Sequence, residues 1–368
     1  MRSSRSRAFP ADTFAIASSG SLNAQKCVSL ALLALARSRR EPPRLLARLM
    51  VTFVASLLFA HSAHADPTAT GFAVERFTPS AAGAGWLVMD TLDMHGGLGG
   101  AMALTTGYSR NPLQVTDGAR SLTPVSDRAF ASFAFALTYD RFRLSLNLEA
   151  PVEVSGQSGS LDGFTYAAPS LGLAGTPDTL SDARAGFDAR LIGGPTSPFR
   201  LGASAFLFVP TGKRIDYDSD GTVRSMLRVL VAGDLGRFTY AGNVGVHVRP
   251  LDDSPADGSP RGSELMFGGA VGSRFFVDHA RRTALVLGPE VWGETSFDGF
   301  GASRTTGLEG LMTGRIETEG DGAPNVRVKL GAGGGLDQSF GAPEFRVVVG
   351  IEMFGRQAKD ASDETLCK

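Results

Sequence analysis

Charged and apolar side chains alternate residue by residue along several stretches of the chain, and this spacing could carry chemistry. From 141 to 154, Phe142 and Leu144 alternate with polar positions that include Arg143 and Glu149. Because successive side chains of a β-strand point to opposite faces, such a strand has one apolar and one charged face. Charged faces that enclose a lumen could screen and orient small hydrophilic solutes.

The alternation predicts a set of lumen-lining, solute-binding side chains. The set is Arg143, Glu149, Arg184, Asp188, Arg190, Arg200, Arg228, Arg249, Glu290, Glu309, Arg327 and Arg346. The same faces also carry Asp182, Arg274, Glu294, Lys329 and Glu352. Two interpretations stay open for this mixed charge: a network of ion pairs that closes a small barrel, or a polar conduit for solutes.

Two other patterns bear on metal binding and catalysis. Asp216, Asp218, Asp220 and the glycine after them match the start of a calcium loop, but Leu227 stands where a bidentate Glu is needed, so a polar turn is the simpler interpretation. His247 is placed on the lumen side, whereas a barrel lipase needs its His at the lipid-facing surface beside Ser. We therefore expect neither an enzyme nor a cofactor, and no metal beyond this weak candidate.

The ends of the chain predict export. Residues 44–65 combine a basic start, the apolar stretch 49–60 and small residues before position 66, which is typical of a signal peptide cleaved after Ala65. A start codon placed too far upstream would explain residues 1–43. The remaining divisions are a periplasmic segment at 66–96, a barrel at 97–354 and a disordered tail at 355–368.

Charge and cysteine content exclude some classes of function. Removing the nine Lys/Arg and two Asp/Glu of residues 1–65 from 36 and 37 leaves 27 basic and 35 acidic residues, a net charge of -8. Nucleic acid, which needs a basic face, is therefore not an expected partner. Cys367 alone remains, so no intramolecular disulfide is expected.

The alternating stretches predict an all-β fold, a transmembrane antiparallel up-and-down barrel of about twelve strands. They lie at 97–109, 128–139, 141–153, 181–192, 199–210, 224–234, 237–249, 263–276, 282–295, 304–317, 325–334 and 344–354. Their connections alternate between longer and shorter ones, with long connections at 110–127 and 154–180. Since outer-membrane barrels have short periplasmic turns, this alternation places the long connections outside the cell.

Several short phrases of the sequence resemble those of a known family. They are Glu75-Arg76-Phe77 with Pro79, Asn111-Pro112-Leu113, Pro210-Thr211-Gly212 followed by Tyr217-Asp218-Ser219-Asp220-Gly221 and Arg224, and Asn243-Val244-Gly245. Together they resemble the β-barrel region that often precedes an OmpA-like peptidoglycan-binding domain in Gram-negative proteins. The resemblance covers roughly 71–354 and implies an outer-membrane barrel; this sequence does not continue into the OmpA-like domain, so its anchoring function is not expected.

The expected function is a porin-like channel for small hydrophilic solutes in the outer membrane. A closed structural barrel that binds a partner or glycan through its outer loops, above all 154–180, is the alternative. The last strand ends in Gly350, Ile351, Met353 and Phe354, a partial match to the signal read by the barrel assembly machinery. That machinery, outer-membrane lipid and lipopolysaccharide are the expected partners, and a monomer is the expected state.

Overall fold

The computed structural model describes residues 71–94, 97–161, 164–169, 180–251, 262–278, 283–318, 325–337 and 341–356. Fourteen strands lie in these ranges. They are β1 (Leu98–Thr116), β2 (Ser121–Tyr139), β3 (Phe142–Ser155), β4 (Gly159–Leu161), β5 (Phe164–Tyr166), β6 (Ala183–Ile192), β7 (Arg200–Val209), β8 (Arg224–Leu235), β9 (Phe238–Val248), β10 (Glu264–Asp278), β11 (Thr283–Ser296), β12 (Thr306–Thr318), β13 (Asn325–Asp337) and β14 (Phe345–Arg356). A 3-10 helix spans Arg214–Asp216.

Twelve of these strands form one closed antiparallel barrel, which confirms the predicted fold. Each strand pairs with its neighbour in the chain, β3 pairs with β6 across the small β4-β5 hairpin, and β1 closes the ring against β14. In the closing ladder Ala101 lies opposite Phe354 and Thr105 opposite Gly350. Closure removes every free edge from the sheet, so the strand hydrogen bonds are satisfied within the barrel.

The first hairpin differs from the prediction. The alternation predicts a long loop at 110–127, whereas the β1-β2 ladder continues through Arg110 and Asp127 to Thr116 opposite Ser121. Polar residues ended the alternating pattern, but ladder hydrogen bonds do not need apolar side chains beyond the membrane. The Asp117 side chain closes the turn, because it accepts hydrogen bonds from the backbone amides of Ala119 and Arg120. β14 likewise continues to Arg356, past the predicted end at 354.

The two faces of the barrel differ as the alternation predicts. Apolar side chains such as Phe133, Leu146 and Ile351 are 43 to 48% exposed on the outer face. Arg143 and Glu352, on the inner face, are 1% exposed. An apolar outer face around a closed barrel is the architecture that crosses the outer membrane. The protein is therefore an outer-membrane β-barrel.

Among the described residues, no helix has the length and hydropathy needed to cross a lipid bilayer. The predicted leader and its cleavage point, the tail beyond Arg356, and the side chains of His95 and His279 lie outside the described residues.

Residues 71–94, which the sequence analysis assigned to the periplasm, lie inside the barrel, and we call them the plug. Trp86 and Leu92 of the plug are 0% exposed and Met89 is 1% exposed. Leu92 and Met94 contact Arg190 near the short turns, the inner end, while Val74 bonds to the Tyr217 carbonyl at the long loops, the outer end. The plug thus runs the length of the lumen. Its apolar side chains have no regular period, so local pattern does not reveal this position.

Candidate functional site: the plugged lumen

Acidic side chains of the barrel wall hold the backbone amides of the plug. Glu290 on β11 accepts hydrogen bonds from the amides of Leu87 (3.0 Å), Val88 (2.9 Å) and Met89 (3.2 Å). Glu352 accepts one from the Gly83 amide at 3.1 Å. Because buried amides must find acceptors, the wall carboxylates supply what a regular helix or sheet would supply within the segment.

Basic side chains of the wall hold the plug carbonyls in the complementary way. Their donors reach carbonyls along the whole plug, from its outer to its inner end. The pairs are Arg249 with Ala73 (3.3 Å), Arg184 with Pro79 (2.5 Å), Lys329 with Trp86 (3.0 Å), and Arg190 with Leu92 (3.0 Å) and Met94. The mixed charge of the lumen is therefore matched to the two polar groups of a peptide backbone.

Ion pairs bind the outer part of the plug. Glu75 pairs with Arg128 at 3.1 Å and with Arg346 at 2.8 Å, so one carboxylate joins β2 to β14. Arg76 pairs with Glu264 at 3.0 Å and with a second carboxylate, that of Glu294, at 3.3 Å. All these side chains are at least 89% buried, where pairing offsets the cost of removing charge from water.

Apolar side chains bind the inner part of the plug. Trp86, Leu87, Met89 and Leu92 pack with apolar wall side chains in one buried cluster. Each of the four also lies against a wall glycine where a Cβ atom would come within 3.0 Å of it. The pairs are Trp86 with Gly272 (2.6 Å), Leu87 with Gly331 (2.4 Å), Met89 with Gly268 (2.4 Å) and Leu92 with Gly202 (2.9 Å). The wall is thus shaped to receive this segment.

All twelve predicted lumen residues are buried on the inner face. Seven of them contact the plug directly: Arg143, Arg184, Arg190, Arg249, Glu290, Arg327 and Arg346. Each of the other five bonds to a wall residue: Glu149 with Arg128, Asp188 with Arg143, Arg200 with Asp234, Arg228 with Ser204, and Glu309 with Arg346. Their role in binding solutes stays a prediction.

Several residues of this network were not predicted from the sequence. Arg128 and Glu264 belong to the lumen face of their strands, and strict alternation beyond the apolar stretches would have found them. Glu75, Arg76 and Asp90 could not be found by alternation, because their segment has no strand period. Asp90 pairs with Arg143, which also binds Asp188 at 2.9 Å.

The three aspartates of the calcium-like pattern are buried instead of facing outward. Asp218 accepts a hydrogen bond from Arg128 at 2.8 Å, and Asp220 accepts one from Arg249 at 2.7 Å. Burial raises the pKa of Asp218 to about 6, against the opposing effect of Arg128. Burial acts in the same direction on Asp220, but Arg249 and Arg224 outweigh it and hold the pKa of Asp220 well below its usual range. Arginines thus occupy two of the three carboxylates that calcium would use.

His247 faces the lumen as predicted and lies in a cluster with two carboxylates. Its Nδ1 atom is 3.3 Å from Glu294 and 3.7 Å from Glu264, within the spacing of metal ligands. Arg76 pairs with both carboxylates and Arg249 pairs with Glu264. With the plug in place, two guanidinium groups therefore supply the positive charge that a metal ion would supply.

No family model matches the chain, and no curated protein matches it. Similar solved structures include an outer-membrane channel from Pseudomonas putida F1, at 15% identity and a TM-score of 0.43 over 79% of this chain and 100% of that one. The NanC porin has 6% identity and a TM-score of 0.42 over 70% and 100%. The CymD monoaromatic hydrocarbon channel has 10% identity and a TM-score of 0.36 over 73% and 90%. The link to barrels that precede OmpA-like domains stays a prediction.

Proposed function

We propose that the protein is an outer-membrane channel that the plug closes at rest and that passes small hydrophilic solutes when the plug moves. The observation that carries this proposal is the way in which the plug is held. Wall side chains bind its backbone. The β-bridge between Gly85 and Asp90 joins two residues of the plug and does not pair the plug with a wall strand. Side-chain contacts of this kind can separate without breaking the barrel ladders.

The wall is suited to both states of such a channel. With the plug in place, its charged groups bind amides, carbonyls and the side chains of Glu75, Arg76 and Asp90. With the plug displaced, the same charged groups would be solvated by water, as in a polar conduit. An apolar lumen wall would have no such second state, because it would expose hydrophobic surface.

A disulfide between the plug and the wall tests the proposal. A Cβ atom at Gly83 would lie 3.4 Å from the Cβ of Ala101 on β1, close to the separation of about 3.5–4.5 Å found in disulfides. The variant is Gly83→Cys with Ala101→Cys in a Cys367→Ser background. Single-channel recording in planar bilayers compares the oxidised and reduced forms of the same protein. Gly83→Cys alone is the control, since Gly83 has a positive φ of 80° that disfavours any side chain.

We expect the reduced protein to show conductance events and the oxidised protein to show none. Replacing both Glu75 and Arg76 by Gln should increase the fraction of time spent open, because it removes the ion pairs at the outer end. A reduced protein and a Gln double variant that insert but never conduct would refute the channel and favour a closed barrel acting through its outer loops.

A further inference from the structure

A cavity of about 130 Å³ lies at the inner end of the lumen, between the plug and the wall. Its lining includes Arg200, Arg274, Arg315 and Arg327 from four different strands. The side chain of Arg274 is 29% exposed, so the cavity reaches solvent at the short turns. A small solute could therefore enter it without displacement of the plug.

Several residues that line this cavity carry hydrogen-bond donors with no hydrogen-bond partner in the described part of the chain. One terminal nitrogen of Arg315 is buried with no hydrogen-bond partner among the described residues, and its Nε makes no hydrogen bond, although it lies 3.4 Å from Glu317. The residue is 2% exposed. The Nε atoms of Arg200 and Arg274 and the hydroxyl of Thr239 are also buried without partners. Buried donors without acceptors cost free energy, so unsatisfied donors on the residues around a cavity indicate a missing acceptor.

The charges around the cavity favour an anion. Three carboxylates line it with the four arginines: Asp93, Asp234 and Glu317. Glu317 is shared by Arg327 at 3.1 Å, Arg274 at 3.2 Å and Arg315 at 3.4 Å. The Arg315 contact has no hydrogen-bond geometry, so this guanidinium keeps donors available. Its other face lies over the Trp86 ring, 4.6 Å from the centroid, which fixes its orientation.

We propose that this cavity is a binding site for a small oxyanion such as inorganic phosphate. Arg315 donates to the anion through its free N–H groups, Thr239 donates through its hydroxyl, and Arg200 and Arg274 complete the positive surroundings. Guanidinium groups suit oxyanions because their N–H groups match the spacing of two oxygens. The site is independent of the channel proposal, since it lies beside the docked plug.

Trp86 provides a local reporter for the test. The chain has two tryptophans, so Trp292→Phe leaves the one that stacks on Arg315. Sodium phosphate is titrated into the refolded full chain at constant ionic strength against sodium chloride, with calorimetry and Trp86 emission as readouts. We expect saturable binding of phosphate that changes the emission, and about a tenfold or greater loss of affinity in Arg315→Gln, as for one charge-assisted hydrogen bond.

Two further variants keep the test decisive if Arg315→Gln folds poorly. Thr239→Val removes one unpaired donor without changing charge and should also weaken binding. Arg228→Gln is the matched control, because Arg228 is buried and stacked on an aromatic ring, Phe206, outside the cavity. Absence of saturable binding in the parent protein, or equal affinity in the parent, Arg315→Gln and Thr239→Val, would overturn the proposal.

Discussion

The outer and inner parts of the plug are held by different forces. At the outer part, Glu75 and Arg76 form ion pairs with four wall side chains. At the inner part, Trp86 and Leu92 are fully buried in an apolar cluster, and Glu290 binds three consecutive amides beside them. The outer part therefore has four ion pairs beside a small apolar cluster that includes Phe72 and Val74. The inner part has two ion pairs, from Asp90 and Asp93, beside the larger apolar cluster, so it depends more on burial and packing.

This difference indicates an order of release. Ion pairs at the outer end can be replaced one at a time by water as that end opens, while a closely packed apolar cluster resists separation until its side chains leave together. We expect the outer part to open first, with the inner part acting as the anchor next to β1. Substitutions at the inner part should then have the larger effects on plug docking.

The largest effect is expected from Trp86→Ala. Removing a fully buried tryptophan leaves a cavity and should weaken plug docking by about 3–5 kcal/mol. Hydrogen exchange of the plug amides measures this loss as faster exchange across the plug. Gly272→Ala should act in the same direction, because its Cβ would lie 2.6 Å from the Trp86 ring. Gly269→Ala is the control, since its Cβ would meet no atom closer than 3.7 Å. Unchanged exchange in Trp86→Ala would contradict the inner anchor.

A smaller effect is expected from Glu290→Gln. The amide side chain keeps one acceptor oxygen but turns an N–H donor toward backbone amides that also donate. Losing the charge-assisted bonds should weaken docking by about 2 kcal/mol. The measurement is exchange at Leu87, Val88 and Met89, which should rise more than exchange elsewhere in the plug. Equal rates in the two proteins would show that the carboxylate does not hold these amides.

Strand periodicity predicted the barrel well because its physical cause is local. Arg143 and Leu144 must face opposite sides of any strand, and a sheet that crosses a membrane must close because an open edge would leave backbone groups unsatisfied. The plug could not be predicted in this way. Its Leu87 amide finds its acceptor at Glu290, 203 positions away, and that pairing leaves no mark in the local pattern. The charged wall could be predicted from the sequence, but the plug that it binds could not.

Within the outer part, Glu75→Gln should have a milder effect than Arg76→Gln. Without the Glu75 charge, Arg128 keeps Glu149 and Arg346 keeps Glu309, so we expect a loss of about 1 kcal/mol. Without Arg76, Glu294 is left with the His247 imidazole as its hydrogen-bond partner among the described residues and with no cation, so the loss should be greater. Protease cleavage of the plug at low and high salt compares the variants. Equal cleavage of both would contradict this ranking.

The smallest effect is expected from the two outer aspartates, which differ in pH dependence. The pKa of Asp220 lies below its unfolded value of about 3.9, so its stabilising effect is present above that pH and is lost as the pH falls further. The pKa of Asp218 is raised to about 6, so its protonation stabilises the folded protein as the pH falls from 7 toward 4. Asp218→Asn should therefore abolish a rise in the urea midpoint between pH 7 and 5, while Asp220→Asn should lower the midpoint throughout this range. Parallel pH profiles for the parent and Asp218→Asn would show that the Arg128 contact keeps Asp218 charged. Asp218 would then be held by an ion pair, as Glu75 is.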